Sequence, residues 1–176
     1  MRLFYAAADQ EVKAAAAAVV SRLRRAPGDF RWVDPRDMHV TLRFLGAAPE
    51  TDLPQVEARM RRAAAQSAPF DVVYGGVGAF DSLDDPRVIW IGLEEGAEPM
   101  ERIAGLLGRD EPRPFSPHLT LGRRRREPVP EAFLAALRAE PPLALRRRVE
   151  RISLYASRPA PFGHAYEILL EADLAG

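Results

Sequence analysis

Two short segments of the chain carry the same polar pair, His39-Val40-Thr41-Leu42 and His118-Leu119-Thr120-Leu121. Each sits in an apolar run that reads as a strand, where successive side chains point to opposite faces. His39 and Thr41 therefore share one face while Val40, Leu42 and Phe44 pack on the other, and the second copy obeys the same alternation. One such copy reads as a structural histidine. Two copies, each setting polar groups into a hydrophobic strand where they are costly without a partner, point to a shared site. Imidazole, with an unperturbed pKa of about 6.5, can take or give a proton near neutrality. A pair of them suits the opening of a cyclic phosphodiester by water, one removing a proton from the nucleophile and the other protonating the departing alkoxide. The hydroxyls of Thr41 and Thr120 can donate to the non-bridging oxygens as negative charge develops there. This scheme requires no metal and no cofactor.

The elements that must position these groups follow from apolar periodicity. It predicts a strand at 2–8, a helix at 10–25 behind an Asp9 cap with Val12, Ala16, Val19 and Leu23 inward, a strand at 38–45 and a helix at 52–65. Strands at 70–79 and 87–94 follow, the second a nearly continuous apolar run suited to burial on both faces. The order then restarts: a helix at 98–108 stopped by Gly108, a strand at 117–123, a helix at 130–140, and strands at 149–157 and 163–172. Helix, short strand, helix and two strands are thus traversed twice, in units of about 10–94 and 98–173. Duplication is the natural reading, with two lobes facing one another across a cleft in which both motifs meet.

Composition narrows the function further. The chain has 176 residues, 47% of them apolar, enough for one domain of two fused lobes. No apolar run approaches the roughly 20 residues of a membrane helix, and the opening residues lack a secretory layout, so a cytoplasmic protein is expected. The absence of cysteine excludes disulfides, thiolate nucleophiles and Cys-based zinc sites. The 25 basic and 25 acidic residues cancel, so any contact with a polyanion must be local. The clusters Arg123 to Arg126 and Arg146 to Arg148, taken alone, read as solvated surface more readily than as an RNA contact.

Beyond the two motifs, the chain resembles the 2H phosphoesterase superfamily, and within it the bacterial and archaeal RNA 2′,3′-cyclic phosphodiesterases, historically called 2′-5′ RNA ligases. Arg2-Leu3-Phe4 resembles the family's first strand, and Trp32-Val33-Asp34-Pro35 through His39 to Phe44-Leu45-Gly46 its first motif. Pro86 to Trp90 resembles its central strand and Phe115-Ser116-Pro117-His118-Leu119-Thr120-Leu121 its second motif. Ser153-Leu154-Tyr155 with Gly163 and Tyr166 resembles its closing hairpin. The resemblance implies a bilobal α+β fold with pseudo-two-fold symmetry, two antiparallel sheets facing a central cleft and helices on the outer faces. It implies hydrolysis of RNA 2′,3′-cyclic phosphate ends to 2′-phosphomonoesters and a weak, reversible 2′-5′ ligation. It also suggests Arg123 as a phosphate ligand, although strict alternation puts that residue on the face opposite His118 unless Gly122 permits a bulge. Arg43 falls on the face of His39 and Thr41 and is a further phosphate candidate.

The expected partner is RNA ending in a 2′,3′-cyclic phosphate, or a related nucleotide, with no membrane, and the expected state is a monomer. His39 is favoured as the acid and His118 as the base, although the symmetry of the motifs gives no independent reason. His164 reads as a surface histidine, and Asp81, Asp84 and Asp85 as a solvated turn. Phe44, Phe80, Phe115 and the tryptophans have core packing as their default role, with base stacking the alternative. Three other readings remain open: a 2H phosphodiesterase acting on a 2′-5′ oligonucleotide or small cyclic phosphate, a non-catalytic module that binds RNA ends, and His39 and His118 as metal ligands. The last is poorly supported by two histidines without a well-spaced carboxylate.

Overall fold

The computed structural model describes residues 1–110, 112–160 and 163–175. Pro161 and Phe162, which precede Gly163 and His164, lie outside the described residues. The elements run β1 (Arg2–Ala7), α1 (Gln10–Leu23), β2 (Phe30–Trp32), a 3-10 turn (Pro35–Asp37), β3 (Val40–Ala47), α2 (Leu53–Ala65), β4 (Phe70–Asp81), β5 (Pro86–Glu95), α3 (Ala97–Leu106), β6 (His118–Arg124), α4 (Glu131–Ala139), β7 (Leu145–Val149), β8 (Arg151–Ala160) and β9 (Gly163–Asp173). The Asp9 carboxylate accepts from the Val12 N–H at 3.0 Å and starts α1. Gly108, at a φ of 82°, takes the left-handed conformation that closes the end of α3. Two strands escaped the periodicity: β2, with three residues, and β7, whose sequence LRRRV looks like a charge cluster.

All pairings are antiparallel, and the strand order is β7-β4-β5-β6-β3-β1-β8-β9, with β2 paired to β6. This order is symmetric about the seam between β6 and β3. The two expected antiparallel sheets are present as half-sheets, joined where Val40 pairs with Leu119. Each half combines distant stretches of chain: the hairpin β4–β5 extends β6, and the hairpin β8–β9 extends β1 and β3. One face of the sheet supplies Leu3, Tyr5, Val40, Ile89, Ile91, Leu119 and Leu154 to a single core. Against it pack Val12, Ala16, Val19 and Leu23 of α1, Met60 of α2, Met100 and Ile103 of α3, and Phe133 and Leu137 of α4. Burying each large apolar side chain contributes on the order of 1.5–3 kcal/mol, so the helices are held by this face. None of the described helices is long and apolar enough to cross a membrane.

A β-bulge follows each motif. Tyr5 pairs with Arg43 and Ala6 with Thr41, which leaves Leu42 as an extra residue in β3. Likewise Ile89 pairs with Gly122 and Trp90 with Thr120, which leaves Leu121 extra in β6. An extra residue inverts the alternation beyond it, and two expectations are corrected as a result. Phe44, expected in the core, is 67% exposed and lies 5.9 Å from Phe4, ring centre to ring centre, on the face away from the helices. Arg43, expected beside His39, turns to the helix side, where its guanidinium donates to the Leu107 carbonyl at the end of α3. The same inversion carries Arg123 to the face of His118, although the bulge falls at Leu121 and not at Gly122.

Candidate active site

The register at the seam assembles the four motif residues. With Val40 opposite Leu119, the next step outward on each strand sets His39 opposite Thr120 and Thr41 opposite His118, all on the face away from the helices. Directly opposed side chains have Cβ atoms about 4.5–5.5 Å apart and diagonal neighbours about 7–8 Å. The histidines occupy one diagonal of this patch and the threonines the other. By this register each imidazole has a hydroxyl beside it, and His118 lies near enough to His39 for its charge to act there.

Both rings are fixed in the same way. The Nδ1–H of His39 donates to the Asp37 carbonyl at 2.6 Å, and the Nδ1–H of His118 donates to the Ser116 carbonyl at 2.7 Å. A carbonyl can only accept, so Nδ1 carries the hydrogen in the neutral ring and Nε2 is the nitrogen left to accept or, once protonated, to donate. The 3-10 turn that aims the Asp37 carbonyl is capped by the Asp34 carboxylate, which accepts from the Arg36 N–H at 2.9 Å. Aromatic rings from the adjoining strands floor each imidazole. His39 lies 4.7 Å from the Phe4 ring, 5.5 Å from Tyr166 and 5.7 Å from Tyr155. His118 stands edge-on to Phe80 at 4.9 Å and 6.1 Å from Trp90. Trp90 fits because its ring crosses Gly78, where an added Cβ would come within 2.1 Å of the indole.

A cleft of about 730 Å³ opens over the His39 and Thr120 side of the patch, lined by these two, Arg31, Arg123, His164 and Tyr166 among others. Thr41 and His118, half-buried on the same sheet face, stand outside this lined volume. Arg123, the one suggested arginine that reaches the cleft, approaches His118 closely enough for its charge to disfavour the imidazolium there. His164 is exposed on the cleft wall, with its Nδ1 3.3 Å from Ser157 Oγ. The wall residues Arg31 and Tyr166 were missed as site residues. Alternation in Phe30-Arg31-Trp32 holds the signal for Arg31, since its two neighbours are aromatic and pack together. Among the described residues no group of three or more His, Asp or Glu converges as metal ligands do.

Known proteins share both the sequence and the fold. A model described as LigT like Phosphoesterase matches residues 7–90. The RNA 2′,3′-cyclic phosphodiesterase of Thermus thermophilus is 36% identical over 193 aligned positions, which cover 100% of this chain and 91% of that one. The chain belongs to the LigT-like phosphoesterase family. The RNA 2′,3′-cyclic phosphodiesterase of Thermotoga maritima is 29% identical, with 100% of this chain and 97% of the relative covered. A crystal structure of a Thermus thermophilus protein superposes with a TM-score of 0.84 at 33% identity, covering 100% of this chain and 99% of the other. Escherichia coli LigT in complex with 3′-AMP shares the fold, with a TM-score of 0.77 at 24% identity over 99% of this chain and 98% of that one.

The electrostatics of this LigT-like phosphoesterase distinguish its two imidazoles. Burial pushes His39 down to about 4, only partly offset by its bond to the Asp37 carbonyl, and the charges of Lys13 and His118 act in the same direction as burial. Burial lowers His118 as well, with Arg123 adding to the effect. In the free protein both rings are therefore neutral at pH 7, and a negative ligand is needed to favour a proton on either.

Proposed function

We propose that the protein hydrolyses RNA 2′,3′-cyclic phosphate ends to 2′-phosphomonoesters, with His118 as general base and His39 as general acid. His118 Nε2 takes a proton from water as the water oxygen bonds to phosphorus. The bond from phosphorus to O3′ breaks on the opposite side, and the Nε2–H of His39 donates its proton to the departing O3′. Thr41 and Thr120 donate to the non-bridging oxygens. The observation that carries this reading is the matched tethering of both Nδ1 atoms, which leaves two Nε2 atoms on one diagonal of a single patch. Both motifs come from one chain, so a monomer suffices.

The test is hydrolysis of an RNA oligomer ending in a 2′,3′-cyclic phosphate, with product identification and with or without a strong chelator. A 2′-phosphate formed equally well in the chelator is the expected result; a 3′-phosphate product, or loss of activity in the chelator, counts against the scheme. An anionic phosphate favours the charged form of both imidazoles and raises their pKa values above those of the free protein. The pH profile of kcat/KM, which reports the free protein, is therefore expected to be a bell lying to the acid side of the bell for kcat, which reports the complex. Coincident profiles, with chemistry shown to be rate-limiting, would contradict this.

A further inference from the structure

When O3′ leaves towards His39, as proposed above, the ribose that carries it stands on the His39 side of the patch, where the cleft opens. The base of the terminal nucleotide then lies among the cleft walls. Trp32 and Tyr166 offer aromatic surface there, but a ring stacks on any base, so discrimination falls to polar groups. Two carboxylates line this space, those of Asp34 and Asp37. Asp34 is held by Arg36 at 2.8 Å. The carboxylate of Asp37 has neither ion pair nor hydrogen bond among the described residues, although the residue is half-buried and its main-chain carbonyl is the one that holds His39. Burial and then the Asp34 charge raise its pKa, against the opposing pull of Arg36 and Lys13. Its own charge reaches Tyr166 on the cleft wall and Tyr155 beside His39. A bare carboxylate in a cleft for a phosphate ester weakens binding unless the ligand brings it a donor. The cyclic phosphate occupies O2′ and O3′ and the strand occupies O5′, so the terminal nucleoside has donors only on its base. Guanine carries two neighbouring N–H groups on one edge, at N1 and N2, which match the two oxygens of a carboxylate. Adenine and cytosine offer one amino group beside an acceptor nitrogen. Uracil offers N3–H between two carbonyl oxygens, which a carboxylate repels.

We propose that Asp37 reads the base of the terminal nucleotide, its carboxylate accepting from the N1–H and N2–H of guanine while the motif residues hold the cyclic phosphate. This rests on the hydrolytic reading above and narrows it: the enzyme prefers RNA ends that terminate in guanosine, accepts adenosine and cytidine less well, and uridine least. The residue whose main chain fixes the acid thus also selects the nucleoside delivered to it.

The test compares kcat/KM for four dinucleotides that share a 5′ adenosine and carry the 2′,3′-cyclic phosphate on guanosine, adenosine, cytidine or uridine. The wild-type protein is expected to prefer the guanosine end over the uridine end by at least about tenfold, the scale of hydrogen bonds to a charged group. In Asp37→Asn, which keeps the main-chain carbonyl and the side-chain shape, that ratio is expected to shrink below about threefold. Asp37→Ser, which also lacks the carboxylate, is carried in parallel and should shrink it likewise. The ratio is the readout because a disturbed His39 would lower all four substrates together. Equal kcat/KM for the four ends in the wild type, a ranking led by another base, or a guanosine preference unchanged in the variants overturns the role of Asp37 while leaving the hydrolytic reading intact. Turnover of none of the four overturns both.

Discussion

Alanine in place of His39 or His118 is expected to lower kcat on a cyclic phosphate substrate by at least about a hundredfold. Each proton transfer by a positioned group contributes on the order of 10² to 10⁴, and the tethered rings leave no second group aimed at the same atoms. The double variant should fall little below the worse single one, because groups that act as a unit lose their benefit together. His39→Ala also opens a gap beside Phe4, Tyr155 and Tyr166, so His39→Gln and a thermal unfolding curve for each variant separate lost chemistry from lost structure. Thr41→Val and Thr120→Val should each cost about fivefold, the scale of a neutral hydrogen bond worth about 1 kcal/mol. Losses under tenfold at either histidine, measured under single-turnover conditions, would sink the acid/base assignment.

Acid should weaken the fold through the same residue. His39 is pushed down to about 4 in the folded protein, while an unfolded chain protonates it near its ordinary value of about 6.5. Between those limits the unfolded state binds more protons, so stability falls as pH falls. The contribution is fully present above about pH 6.5, declines toward pH 4 and changes little below that. At about 1.4 kcal/mol per pH unit it amounts to ~3 kcal/mol, with His118 adding in the same direction. Urea unfolding of the wild type and His39→Gln at pH 7 and pH 4.5 checks this. The wild type should lose markedly more stability between the two, and parallel losses would show that the imidazole is not responsible.

The sequence made much of this legible because the governing signals are local. A period of two gave the faces of His39, Thr41, His118 and Thr120, and a period near 3.6 gave the inward residues of α1, down to Leu23. What stayed hidden is decided by partners far along the chain. The bulges at Leu42 and Leu121 exist only in relation to β1 and β5; Gly122 hints at the second from one residue away, and nothing in Thr-Leu-Arg announces the first. They alone decide that Arg123 enters the cleft while Arg43 leaves it. In β7 the arginines concealed an edge strand, because Arg146, Arg147 and Arg148 find Glu95, Asp9 with Glu11, and Asp71 only after folding. Core packing is the default reading for Trp32, with base stacking the alternative; its ring lies against Gly122, and it also lines the cleft beside its charged neighbour Arg31.

The placement of β1 between β3 and β8 has a consequence for how the protein is made. Arg2 to Ala6 pair on one side with residues of β3 and on the other with Ser153 to Ser157. A nascent chain emerging from the ribosome can complete the first of these ladders early, but the outer edge of β1 remains bare until β8 has been translated. Throughout that interval Phe4, which will floor His39, borders an open strand able to recruit another polypeptide. Chaperone demand should therefore persist from the completion of β3 until the β8–β9 hairpin docks, and fall away then.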